Sequence, residues 1–247
     1  MSFTPLSHWS ELRHRLIVSL LCFGAVFLFY FIFCQSLFSA LNQLLLKYLP
    51  QAYQIITTQV TSPFTVLLKL CVSSTLFTIM PFLIYQAWRF ITPGLYQKEK
   101  RLFIPVLILS MILFYLGALF AFFIVCPLAL NFFYHFAPQQ VTVMTDLAAY
   151  VGFISNLILI FALSFQIPLV IFLLLHFKCL SRNTLKQKRP FVIVGCFVLG
   201  MLLTPPDVIS QVLLAIPLLI LFELGLLLDW LVQWQRKPHS ETRNISS

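Results

Sequence analysis

The sequence predicts an all-α integral membrane protein with six transmembrane helices and both termini in the cytoplasm. Three observations carry that prediction. First, hydrophobic residues make up 60% of the 247 and charged residues only 9%, with a mean hydropathy of +0.96. A soluble domain is nearer half apolar and about a quarter charged, so there are too few charges here to coat a globule in water. Second, the apolar residues come in long runs, the direct mark of spanning helices. Third, Lys and Arg gather between those runs instead of spreading over a surface.

Taken in order, Arg13 and Arg15 precede an apolar run that predicts helix one over about 16–34. No small-residue cleavage site comes after it, so the run reads as a retained helix and not a removable signal peptide. A polar stretch near Gln35–Ser62 leads to helix two, about 67–89. Within it Leu37, Leu41, Leu44, Leu45 and Leu49 share one face, which predicts an amphipathic helix along the outer surface. Helix three covers about 103–127, and Asn131–Ala137 is expected to lie along the surface in the same way. Thr145-Asp146 is a start signal for helix four, about 149–177.

Helices five and six are set by parity. Positive clusters stay on the cytoplasmic side, so an even number of crossings separates Lys178–Arg189 from Arg236–Arg243. That interval reads as one apolar run, broken by Thr204-Pro205-Pro206-Asp207. Two prolines remove two backbone donors and disfavour helix before them, and Asp207 can cap the next helix. The result is two short helices, about 191–204 and 211–228. The fourteen residues Phe191–Thr204 reach about 21 Å, against a hydrocarbon core of about 30 Å. Either the bilayer thins there, or the Pro-Pro turn stays submerged, or the boundaries are a turn out. Fourteen of the sixteen Lys and Arg then fall inside, leaving Lys47 and Lys69. A single membrane domain over 1–234 and a polar cytoplasmic tail over 235–247 complete the layout.

The net charge is +9. In a soluble chain that excess would suggest nucleic acid. Here its position between apolar runs assigns it to topology, and no nucleic-acid partner is expected. His8, His14, His135, His176 and His239 are scattered, and neither an H-E-x-x-H, a P-loop nor a G-x-S-x-G elbow is present. No enzyme activity, cofactor or metal is expected. The cysteines show no C-x-x-C and read as small buried apolar residues; a Cys34–Cys126 bridge fits one membrane face but nothing supports it.

Polar residues inside apolar runs are costly and often functional. Gln166, in SFQIP, reads equally as helix–helix glue and as part of a cargo path. Glu223 lies towards the inner end of helix six, either deep or reaching the headgroups. Pro81, Pro127, Pro168 and Pro217 are expected to kink their helices. In the loop Lys98-Glu99-Lys100-Arg101 the one carboxylate has two readings. It is an internally paired charge in a topogenic loop, or it accepts a cation from a ligand. Carboxylates engage guanidinium groups through paired hydrogen bonds. Glu11 is expected on the same face, and two acids there would suit a ligand with adjacent cations. Their basic neighbours would repel indiscriminate basic peptides.

Several stretches together resemble the TatC family, the multispanning subunit of the twin-arginine protein translocase. They are SHWSELRHRL at 7–16, PFLIYQAWRFITPGLYQKEKRLF at 81–103, LFYLGALFAFFIVCPLA at 113–129, SFQIPLVIFLL at 164–174 and KQKRPFVIVGCFVLGMLLTPPDVISQVLLAIPLLILFE at 186–223. The resemblance implies a concave, glove-like helix bundle in the bacterial cytoplasmic (inner) membrane. It implies a receptor for twin-arginine signal peptides of folded cargo, in contact with membrane lipid. Partners would be TatA- and TatB-like single-span proteins, in a hetero-oligomer holding several TatC copies and driven by the proton-motive force. The implied signal-peptide surface is Glu11, Arg13, Gln86, Phe90, Pro93, Leu95, Tyr96 and Glu99. The implied partner-helix surface is Met201, Leu202, Thr204 and Gln211, with Asp207 on the outer hairpin. Many family members carry Glu where Gln166 stands, so a hydrogen-bonding role survives here and a proton relay does not. The alternative is a proton-coupled secondary transporter of a small solute. It predicts inverted repeats around an ion site, and the sequence shows no repeat.

Overall fold

Helices in this chain begin before the apolar runs and end after them. The computed structural model describes residues 5–39, 54–56, 61–91, 103–136, 144–177, 181–203 and 208–236. Helix α1 runs Pro5–Ile32 and so includes the polar N-terminal stretch that precedes the predicted span. Proline suits the first helical position, where no backbone donor is needed. Helical turns go on over 34–39, and the rest of the predicted Leu37–Leu49 surface helix lies outside the described residues. Helix α2 spans Ser62–Ile91. Backbone hydrogen bonding does not require an apolar side chain, so hydropathy marks the lipid-facing length and not the helix ends.

The four prolines divide into two kinds. Helix α3, Phe103–Phe120, passes through a π-helical turn, Ala121–Val125, into α4, Cys126–Phe136. The turn closes with Cys126 N–H donating to Ala121 O, one residue ahead of Pro127. The wider turn takes up the register where the proline ring would strike a carbonyl. Helix α5, Leu147–Ser164, stops at a turn over Phe165 and Gln166 before α6, Ile167–His176. Pro168 cannot donate to Ser164 O, four residues back, and α5 ends at that residue. Gln166 N–H instead reaches Leu163 O at 3.0 Å. Pro81 and Pro217, by contrast, lie inside continuous helices.

Past the short α7, Arg182–Gln187, comes α8, Arg189–Leu203, and then α9, Val208–Arg236. Helix six was expected to be short. The helix itself is 29 residues long, and only its apolar stretch, Gln211–Leu227, is short. Four helical stretches are long and apolar enough to cross a membrane by length and composition: Ser10–Ile32, Ser62–Phe90, Ile104–Phe132 and Leu147–Leu175. Arg189–Leu202 and Gln211–Leu227 are shorter apolar helices. The chain is an integral membrane protein.

Two three-residue strands, which the apolar pattern does not predict, precede α2 and α5. Strand β1, Gln54–Ile56, pairs in parallel with β2, Met144–Asp146, in the register Gln54↔Met144 to Ile56↔Asp146. Each strand leads into a helix, so α2 and α5 start from the same end. Asp146 caps α5, its Oδ2 accepting Ala149 N–H at 3.2 Å, as the Thr145-Asp146 signal indicates.

Contacts divide the chain into two compact units, Met1–Ile112 with Tyr134–Leu159, and Leu113–Phe133 with Ile160–Ser247. In the first, α1 packs along α2 in the opposite sense. Arg15 meets Gln86 near one end, and Tyr30 meets Thr78 near the other. Val66, Leu70, Cys71, Thr75 and Ile79 form the buried face of α2 at helical spacing. In the second, Ile171 and Leu175 of α6 bury against Phe222 and Leu226 of α9. Gly225 permits that approach, since a Cβ there would lie 3.0 Å from Pro168 Cα. Leu20, Leu28 and Ile32 of α1 stay exposed, as a lipid-facing surface requires. Among the described residues Cys34 and Cys126 are free thiols and form no bridge.

Candidate functional site

Three polar clusters stand out among the described residues, and each draws on residues the sequence singled out. The first sits where α1 meets the last turns of α2. Glu11 and Arg15 are four apart, so they share one face of α1. Arg15 donates through Nε at 3.1 Å and through Nη2 to Glu11 Oε1. Its Nη1 donates to Gln86 Oε1 at 3.1 Å across to α2. The Arg15 side chain is 14% exposed and the Glu11 side chain 40%. The fork therefore holds the carboxylate from the protein side and leaves the acid more accessible than its cation.

Of the predicted signal-peptide residues, Glu11 and Gln86 are thus brought together, through a residue that was not predicted. Arg15 could have been found from its i,i+4 spacing to Glu11. Arg13 is exposed and stands two residues from Glu11, so it points to another side of the helix. Phe90 is half-buried one turn beyond Gln86. Arg89 is exposed and stacks over Tyr85, 6.0 Å from the ring centroid. Pro93, Leu95, Tyr96 and Glu99 lie outside the described residues.

The second cluster joins α8 to α9. Gln211 Nε2 donates to Phe197 O at 2.7 Å. Gly200 makes room for it, as a Cβ there would lie 3.1 Å from Gln211 O. Met201 and Leu202, one turn along α8, are 60% and 75% exposed. So the amide braces the hairpin while the neighbouring apolar side chains face outward. Thr204 and Asp207 lie outside the described residues.

The third cluster pairs Glu223 of α9 with Arg189 at the start of α8, Oε2 to Nη2 at 2.7 Å. Glu223 is therefore a paired charge, with its side chain 52% exposed. The pair borders a hollow of about 460 Å³ that also includes Lys186, Leu219, Ile220 and Leu227. Gln166 occupies the N-cap of α6, half-buried, and its carbonyl accepts Val170 N–H at 2.9 Å; its side chain makes no capping bond. No group of three His, Cys, Asp or Glu that could hold a metal occurs among the described residues.

The chain as a whole has known relatives. The family model for the Sec-independent protein translocase protein TatC matches residues 7–217. The chain belongs to the TatC family. A TatC protein of Escherichia coli K12 is 44% identical over 220 residues, covering 89% of this chain and 85% of the relative. One from Azotobacter chroococcum is 41% identical over 232 residues, covering 94% and 91%. Among solved structures, the twin-arginine translocase receptor TatC in DDM superposes with a TM-score of 0.82 at 39% identity, covering 90% of this chain and 99% of that one. TatC is a family of protein transport, not of catalysis. The family match includes α1, α2 and α8, which carry Glu11, Gln86 and Met201 of the clusters described above.

Proposed function

We propose that this chain is the receptor and core subunit of a twin-arginine translocase in a bacterial cytoplasmic membrane. It binds signal peptides with tandem arginines at the cytoplasmic face. With TatA- and TatB-type single-span partners, in a complex of several copies, it exports folded cargo using the proton-motive force. The observation that carries the reading is similarity along nearly the whole chain to a solved twin-arginine translocase receptor, at 39% identity. The Glu11–Arg15–Gln86 cluster supports it locally, because it presents a held carboxylate among cations. Glu99 is the main partner of the signal's arginines on the proposed peptide surface, with Glu11 as the second acid, and Met201, Leu202, Thr204 and Gln211 form the partner-helix surface.

Six spans with both termini inside are part of the proposal. Charge clustering supports them, and so does the parallel β1–β2 pair, which starts α2 and α5 from one end. The deciding experiment crosslinks a twin-arginine signal peptide bearing a photoreactive group to the inserted protein. Adducts at Glu11, Gln86 and the 93–99 loop are expected. Adducts confined to the β1–β2 end would refute it. Glu99→Ala is expected to cut peptide binding at least ten-fold while leaving insertion intact, read by a salt-controlled binding titration.

A further inference from the structure

Lys69 is a cation inside an apolar helix, about two turns into α2 and within the apolar span Ser62–Phe90. An ionisable group at that depth calls for a partner. Its Nζ turns back towards the helix start and donates to Ala148 O, in the first turn of α5, at a long 3.4 Å. An ammonium has three donors, so most of its capacity remains. Gly152 keeps the place open, since a Cβ there would lie 3.0 Å from Nζ.

Beneath the ammonium lies a hollow of about 240 Å³ between α2 and α5. Its polar lining is Ser73, Ser155 and Asn156. Ser73 donates its hydroxyl to Leu70 O at 3.0 Å, so it can only accept. The Ser155 hydroxyl and the Asn156 amide take part in none of the hydrogen bonds among the described residues, and Asn156 is exposed. Val72, Leu76 and Leu159 supply the apolar wall. Both helices start from the β1–β2 end, so along them the lining runs from the cation, through the hydroxyls and the amide level with Val72, to the hydrocarbon of Leu76 and Leu159.

A phospholipid has the complementary order: an anionic phosphodiester, ester carbonyls that only accept, then acyl chain. A lone carboxylate from another helix would satisfy one level and leave the other donors unmet. We propose that this hollow binds one phospholipid of the leaflet at the β1–β2 end, with its phosphodiester on Lys69 and its ester carbonyls on Ser155 and Asn156. A headgroup without its own ammonium suits Lys69 best, as in phosphatidylglycerol.

Native mass spectrometry of the purified full chain, titrated with phosphatidylglycerol, tests this. Wild type should hold one tightly retained lipid. Lys69→Gln should lower its occupancy at least five-fold, and Lys69→Arg should restore it. Ser155→Ala with Asn156→Leu keeps the charge and should still lower occupancy about three-fold. That double variant decides the matter if Lys69→Gln fails to insert. Equal lipid retention in all forms would overturn the proposal. So would intact lipid retention in Lys69→Gln together with loss of a co-purifying single-span protein, which would assign Lys69 to a partner's acid.

Discussion

Among the described residues two Arg–Glu pairs occur, and they are built in different ways. Glu11–Arg15 lies within one helix, four residues apart, with Gln86 as a third partner and the Arg15 side chain 14% exposed. Glu223–Arg189 joins two helices, 34 residues apart, with the side chains 52% and 44% exposed. The first pair can form as soon as α1 does, because i,i+4 spacing places both groups on one face. Tertiary structure then adds the amide of Gln86 and removes water from Arg15. The second pair exists only once α8 and α9 have packed, and it stays open to solvent. The contrast teaches that identical chemistry has unequal weight: desolvation and a third partner separate a held charge pair from an open one.

The largest expected effect comes from reversing the held acid. Glu11→Arg places a cation against Arg15 and removes the accessible carboxylate. Signal-peptide binding should fall at least ten-fold, while Glu223→Arg should change it less than two-fold. Equal losses in the same titration would erase the distinction between the pairs. Next is Gln86→Leu, which leaves one N–H of a mostly buried guanidinium without its acceptor. The cost should be about 1–3 kcal/mol, seen as a lower thermal midpoint in detergent, with weaker peptide binding alongside. No change in either would mean that α2 does not position Glu11. The smallest effect is Arg189→Gln, an exposed pair worth about 0–1 kcal/mol and screened by salt. A midpoint shift that persists at high salt would show that this pair is less solvated than its exposure indicates.

Legibility differed by residue. The four long apolar helices were readable, since hydropathy is a sum over local side chains. Helix ends were not: α1 starts at Pro5 and α9 ends at Arg236, because helices continue through polar residues at no hydrogen-bonding cost. Asp146 was readable as a cap, since capping is a local bond. The prolines look alike in sequence, yet only Pro127 and Pro168 coincide with a π-turn or a helix break. The strands were invisible, at three residues each, because only their pairing defines them. Arg15 is legible in spacing but is overshadowed by its more conspicuous acid.

The sequence by itself determined that this chain lives in lipid, where its apolar stretches lie, and where its charges gather. Those properties are sums over local side chains and need no knowledge of neighbours. Only the tertiary structure decided which amide meets Arg15, that Glu223 is paired, and that Lys69 overlooks a donor-lined hollow. Each of these joins residues from different helices, 34 or more positions apart, and depends on how those helices pack.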